Sequence, residues 1–158
     1  MKSAVMYYSR TGKTKIAANA LANKISGDLI EIKDLKNRMG ILNFMRAAFD
    51  ARGSKITNIE PSNVDTTNYD ILCFGTPVWG SRPTPAFNTM IQNFKIAGKN
   101  IILFVTLGGA NYEDVLNLMS KMTKEKGGNV IKTFAITNSG KKSDLEIENE
   151  INGMEIPL

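Results

Sequence analysis

The sequence predicts an α/β protein whose core is a doubly wound, five-stranded parallel sheet with helices on both faces. Five short segments rich in strand-forming apolar residues alternate with longer segments whose apolar residues recur at helical spacing. Two of the strand-like segments are unbroken apolar runs, which is typical of buried parallel strands. Such alternation indicates βαβ units with right-handed crossovers. We expect residues 1–158 to form a single domain, because 158 residues is an ordinary domain length.

The first part of the chain begins with a strand-like segment at residues 3–9, which reads SAVMYYS. The apolar residues of the segment 11–27 share one face of a helix. Residues 28–33, DLIEIK, alternate in the way that a half-buried strand does. Residues 41–52 have apolar side chains near a period of 3.6 and predict a second helix.

The middle of the chain contains the most apolar predicted strands, at residues 70–77 and 100–107. Between them, residues 84–94 predict a helix, because Thr84 is a favourable N-cap and Pro85 suits the first helical position. Both strands are expected to be buried.

The last third of the chain contains two predicted helices on either side of the fifth strand. Residues 111–128 predict a helix with Asn111 as its N-cap. Residues 129–137 are the fifth strand. The final helix is expected at 143–151, where Ser143–Glu146 has the spacing of a capping box.

The composition limits the chemistry that the protein can perform. There is no histidine, which excludes imidazole acid–base catalysis, Ser-His-Asp triads and most zinc sites. We therefore predict no catalytic side chain and no metal, and any chemistry would come from a cofactor. Cys73 is the only cysteine and is predicted to be a core residue. We find no signal peptide and no run of eighteen apolar residues, so a cytoplasmic protein without a transmembrane segment is expected.

The net charge of +5 is unevenly distributed: residues 1–55 carry +7, residues 56–139 carry +1 and residues 140–158 carry −3. A basic half can indicate an anionic partner or a solvated basic face. No nucleic-acid-binding motif is present, so we expect no nucleic acid partner. The segment 36–55 carries +4 and more apolar residues than one helical face needs. It can be ordinary core packing with a basic rim, a homodimer face, a partner-docking surface or a membrane-surface contact.

The loop after the first strand, residues 9–14 (SRTGKT), is the strongest candidate for a ligand site. Ligands of doubly wound sheets bind beyond the carboxyl ends of strands, where the strand order reverses. This loop opens a helix, whose free amides and dipole favour an anion, and the hydroxyls of Ser9, Thr11 and Thr14 can donate to phosphate oxygens. Its Gly-Lys-Thr ending is that of a triphosphatase loop, but Tyr7 stands where that loop requires its first glycine. One compact phosphate suits the three hydroxyls better; the alternative is a capped turn without a ligand.

The loops after the third and fourth strands contain aromatic residues beside glycines. Residues 75–85, GTPVWGSRPTP, contain the only tryptophan, Trp79, followed by Gly80. A planar ligand would explain this placement, because aromatic rings stack on one another; the alternative is that the indole packs on the core. In residues 106–112, TLGGANY, the paired glycines permit close approach of a ligand, and Tyr112 can supply a second aromatic face.

Together, the three loops resemble those of the flavodoxin family. That family's phosphate loop has the pattern [ST]-x-T-G-x-T, GTPVWG is similar to its second flavin loop, and TLGGANY lies where its third loop is expected. The resemblance extends over nearly the whole chain and implies a flavodoxin-like sheet of strand order 2-1-3-4-5 that binds FMN. It implies that the cofactor-binding residues are Ser9, Arg10, Thr11, Gly12, Lys13, Thr14, Thr76, Pro77, Val78, Trp79, Gly80, Thr106, Leu107, Gly108, Gly109 and Tyr112.

Two other classes of doubly wound protein fit less well. A response-regulator receiver needs acidic residues at the end of the first strand, and none occurs before Asp28. A Rossmann dinucleotide site needs G-x-G-x-x-G at the same place, which is absent. Gly80 matches the flavodoxin position whose carbonyl turns toward N5 of the flavin, although it can also serve only as a tight turn.

The resemblance implies an electron carrier that shuttles electrons between redox partner proteins. The alternative is an NAD(P)H-dependent reductase of quinones or free flavin on the same fold. No separate nicotinamide motif is present, which favours the carrier. The isoelectric point near 9.3 differs from the acidic character of typical flavodoxins, and Arg10 and Lys13 add positive charge to the phosphate loop. We therefore expect either the partners or the activity of this protein to differ from those of typical flavodoxins.

Overall fold

The computed structural model describes residues 1–36, 42, 45 and 55–158. The described strands are β1 (Ser3–Tyr7), β2 (Asp28–Glu31), β3 (Lys33–Asp34), β4 (Ile59–Glu60), β5 (Ile71–Trp79), β6 (Arg82–Pro83), β7 (Asn100–Thr106) and β8 (Asn129–Ile136). Five of them form a parallel sheet of order β2-β1-β5-β7-β8, which confirms the predicted fold class and strand order. The edge strands β2 and β8 are largely exposed or half-buried, whereas β1, β5 and β7 are buried.

Four α-helices are described: α1 (Lys13–Ile25), α2 (Pro85–Asn93), α3 (Glu113–Glu125) and α4 (Asp144–Gly153). In the described part of the chain, no helix has both the length and the apolar character needed to cross a membrane. Apart from Leu42 and Met45, the predicted helix 41–52 lies outside the described residues, as does most of the basic segment 36–55. Leu42 and Met45, which are described, have 83% and 64% of their surface exposed.

The helix starts follow from local hydrogen bonding. The hydroxyl of Thr84 accepts a hydrogen bond from the Phe87 amide at 3.3 Å, and Pro85 occupies the first position of α2. The predicted capping box before α4 is also present between Ser143 and Glu146. The predicted cap of α3 is wrong: Tyr112 rather than Asn111 occupies the N-cap position, with no side-chain cap.

Two apolar cores lie on opposite faces of the sheet. One core packs α2 and α3 against the side chains of Met6, Phe74 and Val105. The other packs α1 and α4 against Val5, Cys73 and Phe104, as a doubly wound arrangement requires. Cys73 has no exposed surface, which confirms it as a core residue, and burial raises the pKa of its thiol to about 12.

The structure departs from the sequence prediction around the second loop. Residues 78 and 79 continue β5 beyond the expected strand end at residue 77, and the chain then turns back as β6. Val78 pairs with Pro83 and Trp79 with Arg82, so most of the expected loop is a β-hairpin. Proline is compatible with this position because β6 is a short outer strand. A small antiparallel ladder between β3 and β4 was also not predicted.

Candidate functional site

A cleft of about 210 Å³ lies at the carboxyl edge of the sheet, beyond the ends of β1, β5 and β7. All three predicted loops contribute to it, which places the candidate site at the point of strand-order reversal. The lining residues are Arg10, Thr11, Lys13, Thr14, Pro77, Val78, Trp79, Thr106, Leu107, Gly108, Ser139 and Gly140.

The first loop turns into α1 through Gly12, which has the left-handed φ of 102°. Glycine is the residue that adopts this conformation without strain. The Gly12 amide donates to the hydroxyl oxygen of Ser9 at 3.1 Å, and no side chain caps α1. A Cβ added at Gly12 would meet no atom within 4 Å, so the helix start is sterically open. The first-turn amides of α1 are therefore available to an anion in the cleft.

The three hydroxyls predicted to hold a phosphate lie in different environments. Thr11 is exposed and lines the cleft, and Ser9 is half-buried beside it. Thr14 is only 1% exposed, and its Oγ1 lies 2.7 Å from Oγ1 of Thr106 at the end of β7. Thr11 and Thr14 therefore approach the cleft from the surface and from the interior, respectively.

The two cations of the first loop, Arg10 and Lys13, were expected to add positive charge to the phosphate loop, and their surroundings differ. The ammonium of Lys13 donates to the Lys142 carbonyl at 2.9 Å and lies 3.3 Å from the Asp144 carboxylate. Its charge is therefore paired with a carboxylate at the start of α4. Arg10 is half-buried and lines the cleft.

The second loop contributes the hairpin between β5 and β6. The turn residues Gly80 and Ser81 have φ of 55° and 63°, and two positive φ angles in a two-residue hairpin are typical of a type I′ turn. This conformation fits the tight-turn interpretation of Gly80, and the carbonyl movement toward a flavin stays a prediction. Gly80 itself does not line the cleft.

Trp79 lines the cleft but is only 4% exposed. Its ring lies edge-on to Tyr8, with centroids 5.6 Å apart and planes at 88°, inside the core that α2 and α3 cover. The structure thus has the indole packed on the core, as the alternative interpretation expected. Stacking of Trp79 on a planar ligand stays a prediction.

Several other predicted binding residues lie beside the cleft rather than along it. The hydroxyl of Thr76 is 2.8 Å from that of Thr84 and does not face the cleft. In the third loop, Gly109 and Tyr112 also lie outside the lining, and Tyr112 is half-buried against the core.

A fourth loop, which follows β8, was not predicted to contribute to the site. Ser139 and Gly140 line the cleft. The amide and the hydroxyl of Ser139 both donate to the Leu107 carbonyl, at 2.9 and 3.1 Å, so this loop is fastened to the third. The sequence feature that could have indicated this loop is the turn-forming run Asn-Ser-Gly at the carboxyl end of a predicted parallel strand.

The lining can bind an anion and a planar group but has no acid–base pair. Among its described residues, Arg10 and Lys13 carry the charge, and none is a carboxylate or a cysteine. Within the described ranges, no group of three or more Asp, Glu, His or Cys side chains could hold a metal ion. Behind the loop, burial and the neighbouring Glu31 raise the pKa of Tyr7 to about 12, so its phenol is protonated at neutral pH.

Comparisons with known proteins agree with this architecture. A candidate flavoprotein from Bacteroides uniformis ATCC 8492 shares 25% identity over 95% of this chain and 97% of its own, with a TM-score of 0.79. A flavoprotein in complex with FMN from Lactobacillus acidophilus NCFM shares 24% identity over 89% and 95%, with a TM-score of 0.68. Two-electron reduced Megasphaera elsdenii flavodoxin shares 19% identity over 95% and 96%, with a TM-score of 0.56, which shows likeness of fold. Among curated proteins no match was found.

The family assignment rests on the sequence itself. The sequence model of the flavodoxin family matches residues 2–151, which is nearly the whole chain. The match includes all of the loops that line the cleft. This chain belongs to the flavodoxin family.

Proposed function

We propose that this protein holds FMN in the cleft by its 5′-phosphate and carries electrons between larger redox enzymes. The observation that carries the proposal is the start of α1, where the amides have no side-chain cap, a Cβ at Gly12 would meet no atom, and Thr11 and Thr14 line one cavity. Family membership and the FMN complex of the Lactobacillus acidophilus flavoprotein support the identity of the cofactor.

The residues of the cleft suit the two parts of FMN. The first-turn amides of α1 and the neighbouring hydroxyls would hold the phosphate. The hairpin residues Pro77 and Val78 and the third-loop residues Leu107 and Gly108 would hold the ring system. FMN supplies one- and two-electron chemistry when bound, and these residues bind it, orient it and limit its contact with water.

Electron transfer is favoured over NAD(P)H-dependent catalysis by what the site contains. Its described lining has no proton-transferring carboxylate, and the sequence has no histidine and no nicotinamide-binding motif. A carrier needs only an accessible cofactor edge and a docking surface.

The partners of this carrier should present acidic docking surfaces. The chain carries a net charge of +5, and the charged side chains in the described lining, Arg10 and Lys13, are cationic. Opposite charges across an interface accelerate association mainly at low ionic strength. We therefore expect electron transfer to an acidic partner to slow as salt is added.

Titration of the flavin-free protein with FMN, riboflavin and ATP tests the binding site. FMN should bind at least about tenfold more tightly than riboflavin, because a phosphate adds charge-assisted hydrogen bonds. Equal affinity for the two flavins would remove the phosphate site from the proposal. Preference for ATP would favour a triphosphatase-like loop instead.

Anaerobic addition of NADPH to the FMN-loaded protein separates a carrier from a reductase. Loss of the flavin absorbance should be slow for a carrier that has no nicotinamide site. Rapid bleaching that saturates with NADPH concentration would establish the reductase and overturn the carrier.

A further inference from the structure

A pair of buried hydroxyls links two loops of the cleft. Thr14, in the first turn of α1, and Thr106, the last residue of β7, are 1% and 3% exposed. Their Oγ1 atoms lie 2.7 Å apart, which is the distance of a good O–H···O hydrogen bond. Both residues line the cleft.

The pair has one proton more than this bond uses. Each hydroxyl carries one proton and can accept two hydrogen bonds. The bond between Thr14 and Thr106 uses one proton, and neither hydroxyl has another hydrogen-bond partner among the described residues. One O–H group therefore remains to be donated, at a position that is shielded from solvent and borders the cleft.

A second threonine pair, which lies beside the cleft and does not line it, provides a comparison. Thr76 and Thr84 have their hydroxyl oxygens 2.8 Å apart, and both are fully buried. The Thr76 hydroxyl also donates to the Pro77 carbonyl at 3.1 Å, while Thr84 accepts from the Phe87 amide. Thr84 can donate to Thr76, so both protons of this pair are used inside the protein. The pair that lines the cleft is the one with a proton left over.

We propose that Thr106 is a positioning residue for the phosphate site: it donates to Thr14, and Thr14 donates its own proton to a phosphate oxygen. A threonine in a helix divides between rotamers because its hydroxyl can also bond to a carbonyl of the preceding turn. The bond to Thr106 selects the rotamer of Thr14 that faces the cleft. Accepting a hydrogen bond also makes Thr14 a stronger donor. The inference rests on the proposed FMN function.

A double-mutant cycle on the flavin-free protein tests this chain of donors. The variants are Thr106→Val, Thr14→Val and the double variant, each titrated with FMN and with riboflavin. Thr106→Val should weaken FMN binding about five- to tenfold and change riboflavin binding less than about twofold. The double variant should bind FMN no more weakly than Thr14→Val, because Thr106 acts through Thr14.

Two further variants separate positioning from general stability. Thr106→Ser keeps the hydroxyl and should restore the ratio of FMN to riboflavin affinity. Thr123→Val removes a buried hydroxyl that donates to the Met119 carbonyl in α3, and should leave that ratio unchanged. Equal losses for FMN and riboflavin in Thr106→Val, or fully additive losses in the double variant, would overturn the inference. If wild-type protein does not prefer FMN to riboflavin, the proposed function fails instead.

Discussion

The two sides of the cleft differ in how far they are prepared for a ligand. On the side proposed to bind the phosphate, here called the phosphate side, Gly12 is open and the amides at the start of α1 have no side-chain cap. On the side proposed to bind the flavin ring, here called the ring side, the hairpin holds Trp79 at 4% exposure, edge-on to Tyr8. The phosphate side is polar and accessible, whereas the aromatic group on the ring side is apolar and covered.

Because of this difference, we expect the phosphate of the ligand to bind to a site that exists before binding. Helix amides are fixed by the backbone, and the buried hydroxyl of Thr14 is held by its bond to Thr106, so an anion can bind them without rearrangement. An aromatic ring can stack on Trp79 only if the indole exchanges some core contacts for ligand contacts. We therefore expect the phosphate side to provide affinity, and the hairpin side to respond to the cofactor and to tune its redox properties.

Trp79→Ala should have the largest effect of the variants considered. It tests whether the indole of Trp79 belongs to the apolar core in solution. Removing a buried tryptophan side chain costs about 3–5 kcal/mol, so the free energy of unfolding of the flavin-free protein should fall by that amount. Chemical denaturation followed by circular dichroism gives the value. Tyr112→Ala removes a half-buried aromatic side chain at the end of the third loop; it is the control and should cost less.

A loss below about 1 kcal/mol for Trp79→Ala would mean that the indole is not a core residue of the flavin-free protein. Because Trp79 is the only tryptophan, quenching of its emission by acrylamide provides an independent measurement. Weak quenching in wild type supports a covered indole.

The sequence predicted most of the fold because the relevant signals are local. The runs at 70–77 and 100–107 are apolar since both faces of their strands are buried, and Thr84 and Ser143 act on amides three residues away. Loop positions at the carboxyl ends of the strands then follow from the fold, which is why much of the cleft lining was predicted.

Contacts between distant parts of the chain could not be predicted in this way. Thr14 and Thr106 are 92 residues apart in the sequence, and Lys13 and Asp144, which form an ion pair, are 131 residues apart. No local periodicity encodes such pairs. The burial of Trp79 depends on whether its loop forms a hairpin, and a Pro/Gly-rich sequence suggested an open loop instead.

Gly80→Ala should have an intermediate effect and asks whether the hairpin responds to the cofactor. A side chain at left-handed φ costs about 1–2 kcal/mol, and Gly80 already has φ of 55°. If its peptide changes conformation when bound FMN accepts the first electron, the first one-electron midpoint potential should move by about 45–90 mV. Anaerobic redox titration measures both potentials.

Ser81→Gly is the matched control for that variant, because Ser81 has φ of 63° beside Gly80. Relief of its strain should raise the free energy of unfolding by up to about 1 kcal/mol and leave both potentials in place. If Gly80→Ala lowers stability but moves neither potential, Gly80 serves only the turn.

Asp144→Asn should have the smallest effect and sharpens the description of the phosphate side. The Asp144 carboxylate lies 3.3 Å from the Lys13 ammonium, which lines the cleft and is 27% exposed. Removing the carboxylate leaves the positive charge of Lys13 without its counterion, so the phosphate of FMN should be bound more strongly. The gain should be about two- to fivefold at low salt and should vanish at high salt, since exposed charges contribute little and are screened.

Two controls accompany this variant. Riboflavin has no phosphate and should bind to Asp144→Asn as it does to wild type. Glu148→Gln, which removes one charge from the same helix, should leave FMN affinity nearly unchanged. Equal gains for both flavins, or a gain that persists at high salt, would show that Lys13 does not act through charge at this site.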